Sequence, residues 1–595
     1  MIKIAYLDAK RFYRGIIAGG MEVIRHQAYL NKINVFPVAD ADTGINLAGT
    51  MQAIKEGSRP GRTLKETLGS VAESALMGAR GNSGIIFAQY LHGLSVELPE
   101  QGMLTAKHFA ESAQRAVKLL YKSIMNPVEG TMLTVIREWA DSLGTPSEKS
   151  ADFLHLLTHS LGEAKRSLEA TPSKLKALAE AGVVDAGASG FVYFLEGVVN
   201  YIHKGSLRDL GGTNHPEQTI PQTLVHSTAP GEYRYCFELI LQDCSLEMDN
   251  LREKLAPWGD SIILAGSQSK LHVHIHCNKP DIVYQSMQLA GRVKSVKVDD
   301  MLRQYQVSNT EHSSIGIISD SACDLPAELL DKYRIGRIPF GISFGEQQFL
   351  DGITITPDAF YRKLLKDAKH PLSSQPRPKQ VGDLLDFYSK HHDHCFGIFI
   401  SEHLSGVYST ALSLAANFPV GKLSIVNSRQ LSVSQGLVTL RFARAVEAGL
   451  SREEIAAQSE AWIANTKIYT DINTLRYMVR GGRVKPLTGM LAALLNLKPI
   501  VSLDASGKAK AMGKSFSRRS NMKKIVQLIR SEMADKQVWE YAIVHAMAPD
   551  RATRYAELLT QLIGKKPAYI MPLAPVVGVH NGIGAVGIGV SYNEL

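Results

Sequence analysis

From residue 1 to about 204, apolar side chains recur at helical spacing. Phe153, Leu156, Leu157, Leu161, Ala164 and Leu168 fall three and four apart and stop before Thr171-Pro172. An amphipathic helix ended by a proline reads this way, and the whole segment is expected to be all-α. Between Gly205 and Pro230 the periodicity fades into Gly211-Gly-Thr-Asn-His-Pro216 and Ser227-Thr-Ala-Pro230, the composition of a linker. From Gly231 to about Leu302 the pattern predicts strand (Tyr235 to Leu241), helix (Leu246 to Leu255), strands (Ser261 to Gly266, Leu271 to Cys277), helix (Asp281 to Leu289) and strand (Val293 to Val298). That β-α-β-β-α-β order predicts a small α+β ferredoxin-like unit. After Ser313, short apolar strands (Ile315 to Ser319, Phe396 to Ser401, Leu423 to Val426, Trp539 to His545) alternate with helices such as Gly406 to Asn417. Such alternation predicts an α/β domain with a mostly parallel sheet. The chain shows no internal repeat and no low-complexity tract.

The expected organisation is therefore multidomain, with boundaries at 1–204, 205–230, 231–312 and 313–595. A length of 595 residues agrees, since one hydrophobic core does not serve so long a chain. The longest apolar runs, such as Met490-Leu-Ala-Ala-Leu-Leu495, are far short of the roughly 20 residues that span a bilayer. Asp8 interrupts the stretch where a signal peptide keeps its apolar segment. Five scattered cysteines (Cys236, Cys244, Cys277, Cys323, Cys395) argue against a disulfide framework. A cytoplasmic protein is the expectation. The net charge of +9 is spread along the chain, and with no zinc-finger, RNP or helix-turn-helix signature it predicts no nucleic-acid partner. It suits anionic substrates or an anionic membrane surface equally with plain solubility.

The turn Asn34-Val-Phe-Pro-Val-Ala-Asp-Ala-Asp-Thr-Gly-Ile-Asn46 crowds two carboxylates and two carboxamides together. Asp40 and Asp42 repel unless a hard cation such as Mg²⁺ is shared between them through oxygen ligands. Further on, Leu76-Met-Gly-Ala-Arg-Gly-Asn-Ser-Gly-Ile85 combines closely spaced glycines with an apolar run that opens a helix, whose free amides would face an anion. The first stretch resembles the metal loop of the dihydroxyacetone kinase L-subunit superfamily, most closely that of bacterial fatty acid kinase ATP-binding components. It departs from their pattern at Ala39, Ala41 and Ile45, none of which removes an oxygen ligand. The second resembles the superfamily's phosphate loop. Pro127-Val-Glu-Gly-Thr-Met-Leu-Thr134 is similar to a nucleotide-side loop, and Gly182-Val-Val-Asp-Ala-Gly-Ala-Ser-Gly190 to a lid segment. The resemblance implies a helical barrel binding ATP at one end. Asp40 and Asp42 would hold Mg²⁺ and, with Arg80, form the catalytic set. Asn34, Thr43, Asn46, Gly78, Gly81, Asn82, Ser83, Gly84, Thr131 and Asp185 would contact the nucleotide.

In the predicted middle unit, the first and third strands are antiparallel neighbours, so Cys236 lies near His274 and His276, with His272 on the same face. A thiol and imidazoles converging on one sheet face form a set that zinc favours. The segments resemble the middle domain of the fatty acid kinase ATP-binding component, which carries a zinc-type site at these positions. A closed site would be structural and an open one would act on substrate, and the fourth ligand is not readable.

Residues 313–595 resemble the DegV-type fatty-acid-binding proteins. The resemblance runs through Ile317-Ile-Ser-Asp-Ser-Ala-Cys-Asp-Leu-Pro326, Pro371-Leu-Ser-Ser-Gln-Pro376, Leu404-Ser-Gly-Val-Tyr408, Val479-Arg-Gly-Gly-Arg-Val484, Leu497-Lys-Pro-Ile500 and Gly578-Val-His-Asn-Gly-Ile-Gly-Ala-Val-Gly587. Hydroxyls of Ser373 and Ser405 at strand-to-helix turns can donate to a carboxylate at the mouth of an apolar tunnel, and His580 can hold its charge. Ser374 and Gly406 complete the expected substrate contacts. Phe516-Ser517 stands where many members have Arg-Thr.

The resemblances together imply a fatty acid kinase with ATP- and acyl-binding modules in one chain, making an acyl phosphate. A downstream acyltransferase at the membrane surface and a homodimer are further expectations. The alternatives are a non-catalytic lipid-binding or regulatory protein, and a kinase component with a degenerate DegV-like domain that serves a separate acyl-carrier protein. A small hydroxyketone acceptor lacks support, because no segment resembles the companion protein that binds it.

Overall fold

The computed structural model describes residues 4–36, 42–100, 103–144, 152–205, 207, 231–309, 314–482, 498–515 and 517–594. The chain divides into two compact units, residues 1–309 and 310–595. The expected linker lies almost wholly outside the described residues, as do Asp40, Phe516 and the apolar run at 490–495.

The first unit begins with helices. In chain order its elements are β1 (Tyr6–Leu7), α1 (Ala9–Arg25), α2 (Gln27–Lys32), α3 (Thr43–Gly57), α4 (Leu64–Gly78), α5 (Gly81–Glu97), β2 (Leu104–Thr105), α6 (Ala106–Ser123), α7 (Met132–Ser142), α8 (Phe153–Glu169), α9 (Thr171–Lys174), α10 (Lys176–Ala181) and α11 (Ala186–Lys204). Each long helix packs on the next around a closed ring: α1, α3, α4, α5, α6, α7, α8, α11 and back to α1. The ring surrounds a core rich in aromatic side chains, with Phe87, Tyr90, Trp139 and Phe191 in edge-to-face contacts. Within α8, Phe153, Leu156, Leu157 and Ala164 are buried as their spacing predicts, and the helix ends at Glu169, just before Thr171-Pro172. Local chemistry fixes the ends. Asp8 caps α1 by accepting from Arg11 N at 2.7 Å, and Thr63 with Glu66 forms a capping box at α4.

The middle segment supplies β3 (Tyr235–Gln242), α12 (Met248–Leu255), β4 (Gly259–Ser267), β5 (Lys270–Cys277), α13 (Pro280–Ala290), β6 (Arg292–Asp300) and α14 (Met301–Ser308). The sheet runs β4-β5-β3-β6 with every neighbour antiparallel, the order expected of a ferredoxin-like unit; α14 is an addition to that pattern. Period-two alternation gives the sheet two unlike faces. Phe237, Leu239, Val273 and Ile275 form a fully buried apolar face, while Cys236, Glu238, His272, His274 and His276 share the other. That second face turns toward the helical ring, because Ile263 and Ala265, which pair with His274 and His272, belong to the ring's core. Backbone and side-chain bonds lock the junction: His272 Nδ1 to Leu76 O at 3.0 Å, Gly266 N to Gln89 Oε1 at 2.8 Å and Met125 N to Ile262 O at 3.2 Å. Ile263 and Ala265 of the middle segment thus join the core of the helical one.

The second unit holds a four-stranded parallel sheet in the spatial order Leu423–Asn427, His394–Phe399, Ile315–Asp320, Gly336–Ile338. Beside it a six-stranded sheet runs Ala509–Ser515, Lys498–Leu503, Thr466–Asp471, Val586–Glu594, Lys536–His545, Ile570–Pro572, and only its last pair is parallel. The expectation of a mostly parallel sheet thus holds for the first sheet and fails for the second. One physical cause is the turn Asp504 to Gly507, closed by Gly507 N donating to Asp504 O at 2.9 Å, which is too short for anything but an antiparallel hairpin. Among the described residues, no helix is long and apolar enough to cross a membrane.

Candidate functional site

In the first unit, a pocket forms where the N-termini of α3 and α5 meet the polar face of the sheet. Its walls include Asn34, Asp42, Thr43 and Asn46 from the acidic turn, Gly81, Asn82 and Ser83 from the glycine-rich loop, and Cys236, His274, His276, Lys297 and Asp299 from the sheet. The acidic turn, the phosphate-type loop and the Cys/His cluster, which the sequence placed in two domains, line one cavity.

The loop needs its glycines for different reasons. Gly81 adopts φ 57°, the left-handed region, and a Cβ there would lie 2.5 Å from Asn46 Nδ2. Gly78 and Gly84 serve packing instead: a Cβ on Gly78 would overlap Ala53 of α3, and one on Gly84 would crowd Thr50 Oγ1. Arg80 precedes α5 with extended backbone, and its aliphatic stem runs along α3 beside Gly49. Thr131 stands at the N-cap position of α7 without a side-chain capping bond, and its hydroxyl donates to Val128 O. Asp185 caps α11, accepting from Ala188 N at 2.7 Å. Its carboxyl is buried rather than on the pocket wall, and burial pushes its pKa up to about 6 against the pull of its backbone donors. Asn82 Oδ1 is buried with no hydrogen-bond partner among the described residues.

The cluster geometry follows from strand register. Cys236 pairs with His276 and Glu238 with His274. One ligand atom each from Cys236, His274 and His276 fall within 4.8 Å of one another. His274 is 1% exposed, and its Nε2 has no hydrogen-bond partner among the described residues. Burial above all drives the pKa of His276 down to about 3, so its imidazole is neutral and free to ligate. Burial, and then the negative charges of Glu238, Asp299 and Asp42, push the Cys236 thiol well above its usual range. A divalent cation of the zinc type is the partner that a thiol and two imidazoles in this arrangement fit.

Glu238 belongs to none of the sequence motifs, although it is the one charge inside the apolar strand Cys-Phe-Glu-Leu-Ile-Leu, two residues from Cys236. It is 4% exposed. Burial alone would raise its pKa, but Lys297, opposite it on β6, and the neighbouring histidines hold the carboxyl well below the usual range. Its Oε1 accepts from Gly81 N at 2.7 Å. The α5 amide expected to face an anion already faces one from this chain.

In the second unit an apolar pocket opens at the carboxyl ends of Ile315–Asp320 and His394–Phe399, where the chain departs to opposite sides of the sheet. Ala322, Phe340, Ile400, Leu404, Ile468, Val501, Val576 and Val577 line it, with Ser373, Ser405 and His580 as polar members. Ser373 Oγ and His580 Nε2 are 2.9 Å apart. The structure thus brings these three residues together, with one correction. Ser373 belongs to the strand Leu372–Ser374, paired with Gly341–Phe344, instead of a strand-to-helix turn. Ser405 fits its expected place just before the helix Val407–Ala415. Ser374 is exposed and does not line the pocket, and Gly406 packs against Gln375. Arg518, which follows the Phe516-Ser517 departure, donates to Asn473 Oδ1 at 3.0 Å.

Comparison with known proteins finds three family matches along the chain. Residues 37–200 match the DAK2 domain, residues 232–308 the FakA-like middle domain of fatty acid kinase, and residues 314–593 the DegV family. An uncharacterized protein of Staphylococcus saprophyticus is 33% identical over 329 residues, covering 53% of this chain and 59% of that protein. Protein YloV of Bacillus subtilis is 32% identical over 324 residues, covering 51% and 57%. The chain spans somewhat over half the length of these relatives. Among solved structures, a DegV family protein from Thermus thermophilus described for fatty acid binding is 25% identical with a TM-score of 0.44, covering 47% of this chain and 100% of that one. DegV of Bacillus subtilis, described as a fatty acid binding protein, is 24% identical with a TM-score of 0.44, covering 47% and 99%. By its three family matches the chain carries a DAK2 domain, a FakA-like middle domain and a DegV-family domain, in that order.

Proposed function

We propose that this chain is an ATP-dependent phosphotransferase whose acceptor is the carboxylate of a fatty acid. The observation that carries the reading is the first-unit pocket, where Asp42, Asn34 and Asn46 converge with Gly81, Asn82 and Ser83. Oxygen ligands beside the N-terminus of a seventeen-residue helix suit a cation and phosphate oxygens together. Asp42 is among the described residues; Asp40, its expected partner, lies outside them. A magnesium ion held there would neutralise charge on the phosphates during transfer. The chain's own contribution is positioning, for which Arg80 and the amides of the loop are candidates. A carboxylate acceptor arrives deprotonated, so no general base is required.

The apolar pocket of the second unit supports the acceptor. A buried acyl chain against Phe340, Ile400 and Val577 would leave its carboxylate near Ser373, Ser405 and His580, the polar members of the wall. The Cys236, His274 and His276 face, lining the nucleotide pocket rather than a site of its own, favours an open zinc-type centre over a purely structural one. A kinase component serving a separate acyl-carrier protein is the second reading. It is favoured by the pairing of Ser373 Oγ with His580 Nε2 at 2.9 Å, a contact that a carboxylate would have to share or replace.

ATP consumption with and without oleate tests the proposal. Oleate should stimulate turnover in the intact chain, and Asp40→Ala and Asp42→Ala should abolish the stimulation. Indifference to oleate and to both substitutions would overturn the enzyme reading. Stimulation that appears only when a separate acyl-carrying protein is added would establish the second reading.

A further inference from the structure

The nucleotide pocket contains a contact that neither the motif pattern nor the proposed reaction calls for. A single oxygen, Oε1 of Glu238, accepts from Gly81 N at 2.7 Å, lies 3.5 Å from His274 Nδ1 and 3.9 Å from Cys236 Sγ. Gly81 N is the first amide of α5, one of the N-terminal donors that have no partner within the helix and can meet a phosphate. His274 and Cys236 are two of the three residues that can hold a metal. One buried carboxylate therefore touches both the phosphate loop and the metal-ligand face, and it sits opposite Lys297 in the strand register.

Resting on the reading of this pocket as a nucleotide site, we propose that Glu238 is an internal competitor for the phosphate seat, released from Gly81 when a divalent cation occupies the Cys236, His274 and His276 cluster. The argument is one of charge. Without a cation, the nearest donor of full hydrogen-bonding strength to Oε1 is the Gly81 amide, and a phosphate oxygen must displace a carboxylate to reach it. A divalent cation a few ångströms away attracts the same oxygen and leaves the amide to the phosphate. Metal and nucleotide then bind with positive cooperativity through Glu238, and linkage requires the effect to be reciprocal. Glu238 is a positioning residue in this scheme, since it touches neither reacting atom.

Isothermal titration of the full chain with Mg·ADP, after chelator treatment and again after reloading with Zn²⁺, reads the coupling directly. A displaced charge-assisted hydrogen bond corresponds to about 10- to 100-fold in affinity, so zinc should tighten ADP binding by that order. In Glu238→Gln the weaker acceptor frees the amide with or without metal, and the ratio should fall to about one, set by the binding of the zinc-free form rising toward that of the loaded form. Glu73→Gln removes a different contact between the helices and the sheet, the ion pair to Lys270 at 2.5 Å, and should keep the wild-type ratio. Should Glu238→Gln not fold, hydrogen exchange in the wild-type protein still decides: peptides carrying Gly81 should exchange faster with zinc bound and ADP absent. ADP binding unaffected by zinc, a wild-type ratio in Glu238→Gln, or slower exchange at Gly81 on zinc loading each overturns the inference while leaving the nucleotide pocket standing. No ADP binding in any sample overturns the pocket reading itself.

Discussion

Replacing Gly81 by alanine tests whether the glycine-rich loop is shaped by its own backbone or merely tolerates glycine. The residue has φ 57°, where an L side chain costs roughly 1–2 kcal/mol. Its new Cβ would lie 2.5 Å from Nδ2 of Asn46, which is 7% exposed and cannot swing into solvent without unpacking α3 from α5. Overpacking of that kind typically adds about 1–3 kcal/mol, so the total comes to about 2–5 kcal/mol. Gly69, in the middle of α4, provides the contrast: a Cβ there meets nothing within 4 Å. Alanine at that position should stabilise the helix by about 0.5–1 kcal/mol. Native-state hydrogen exchange on α4 and α5 peptides measures the local opening free energy of each variant without requiring the whole chain to unfold in one step. A loss below about 1 kcal/mol for Gly81→Ala, or a larger loss for Gly69→Ala than for Gly81→Ala, would refute the reasoning, because both magnitudes rest on the same typical ranges.

Other outcomes follow from the same geometry. Ser373→Ala and His580→Ala should each weaken oleate binding by about 10- to 100-fold, the range for hydrogen bonds to a charged group, in a fluorescent fatty acid displacement assay; unchanged affinity in both would remove the carboxylate site. Cys236→Ser should lower zinc retained after dialysis, read by inductively coupled plasma mass spectrometry, and retention equal to the wild type would exclude the thiol as a ligand. In the second unit, burial raises the pKa of Asp320 and Asp351 to about 6 and of Asp324 to about 7. These values lie above the ordinary carboxylate range, so the folded form holds these protons more tightly than the unfolded one. Their contribution to stability is complete below pH about 4 and is lost as pH rises through about 7. Urea midpoints followed by exchange at the parallel sheet should fall between pH 5 and pH 7.5, and Asp324→Asn should flatten the dependence. A midpoint rising over that interval would contradict it.

Much of the fold can be read from side-chain period alone. The three-and-four spacing in α8 survives because a helix on a closed ring buries a continuous stripe. The alternation His272, Val273, His274, Ile275, His276, Cys277 marks a strand with two unlike faces, and so the order of the middle sheet is legible. Alternation cannot say what the polar face meets. Its partner, the α4 and α5 helices, lies nearly two hundred residues earlier, and the bond from His272 to Leu76 O has no local signature. The junction therefore stays hidden in the sequence, and with it the merging of the cluster and the phosphate loop into one pocket. Glu238 escapes sequence reasoning because a lone acid in a strand carries no motif, although a charge amid residues that are otherwise buried asks for a partner. Ser373, Ser405 and His580 come together as expected, since strand ends at a switch point place loops in common. The direction of the strands in the six-stranded sheet is not legible, because alternation of strands and helices does not fix it when a hairpin intervenes.

The central claim, transfer of phosphate to a fatty acid carboxylate, is met most directly by trapping the product. The purified chain is incubated with ATP, Mg²⁺ and oleate, quenched with hydroxylamine, and examined by mass spectrometry for oleoyl hydroxamate. The account predicts hydroxamate that requires ATP and oleate and disappears in Asp42→Ala. ATP turnover without hydroxamate, or hydroxamate at wild-type level in Asp42→Ala, would contradict it.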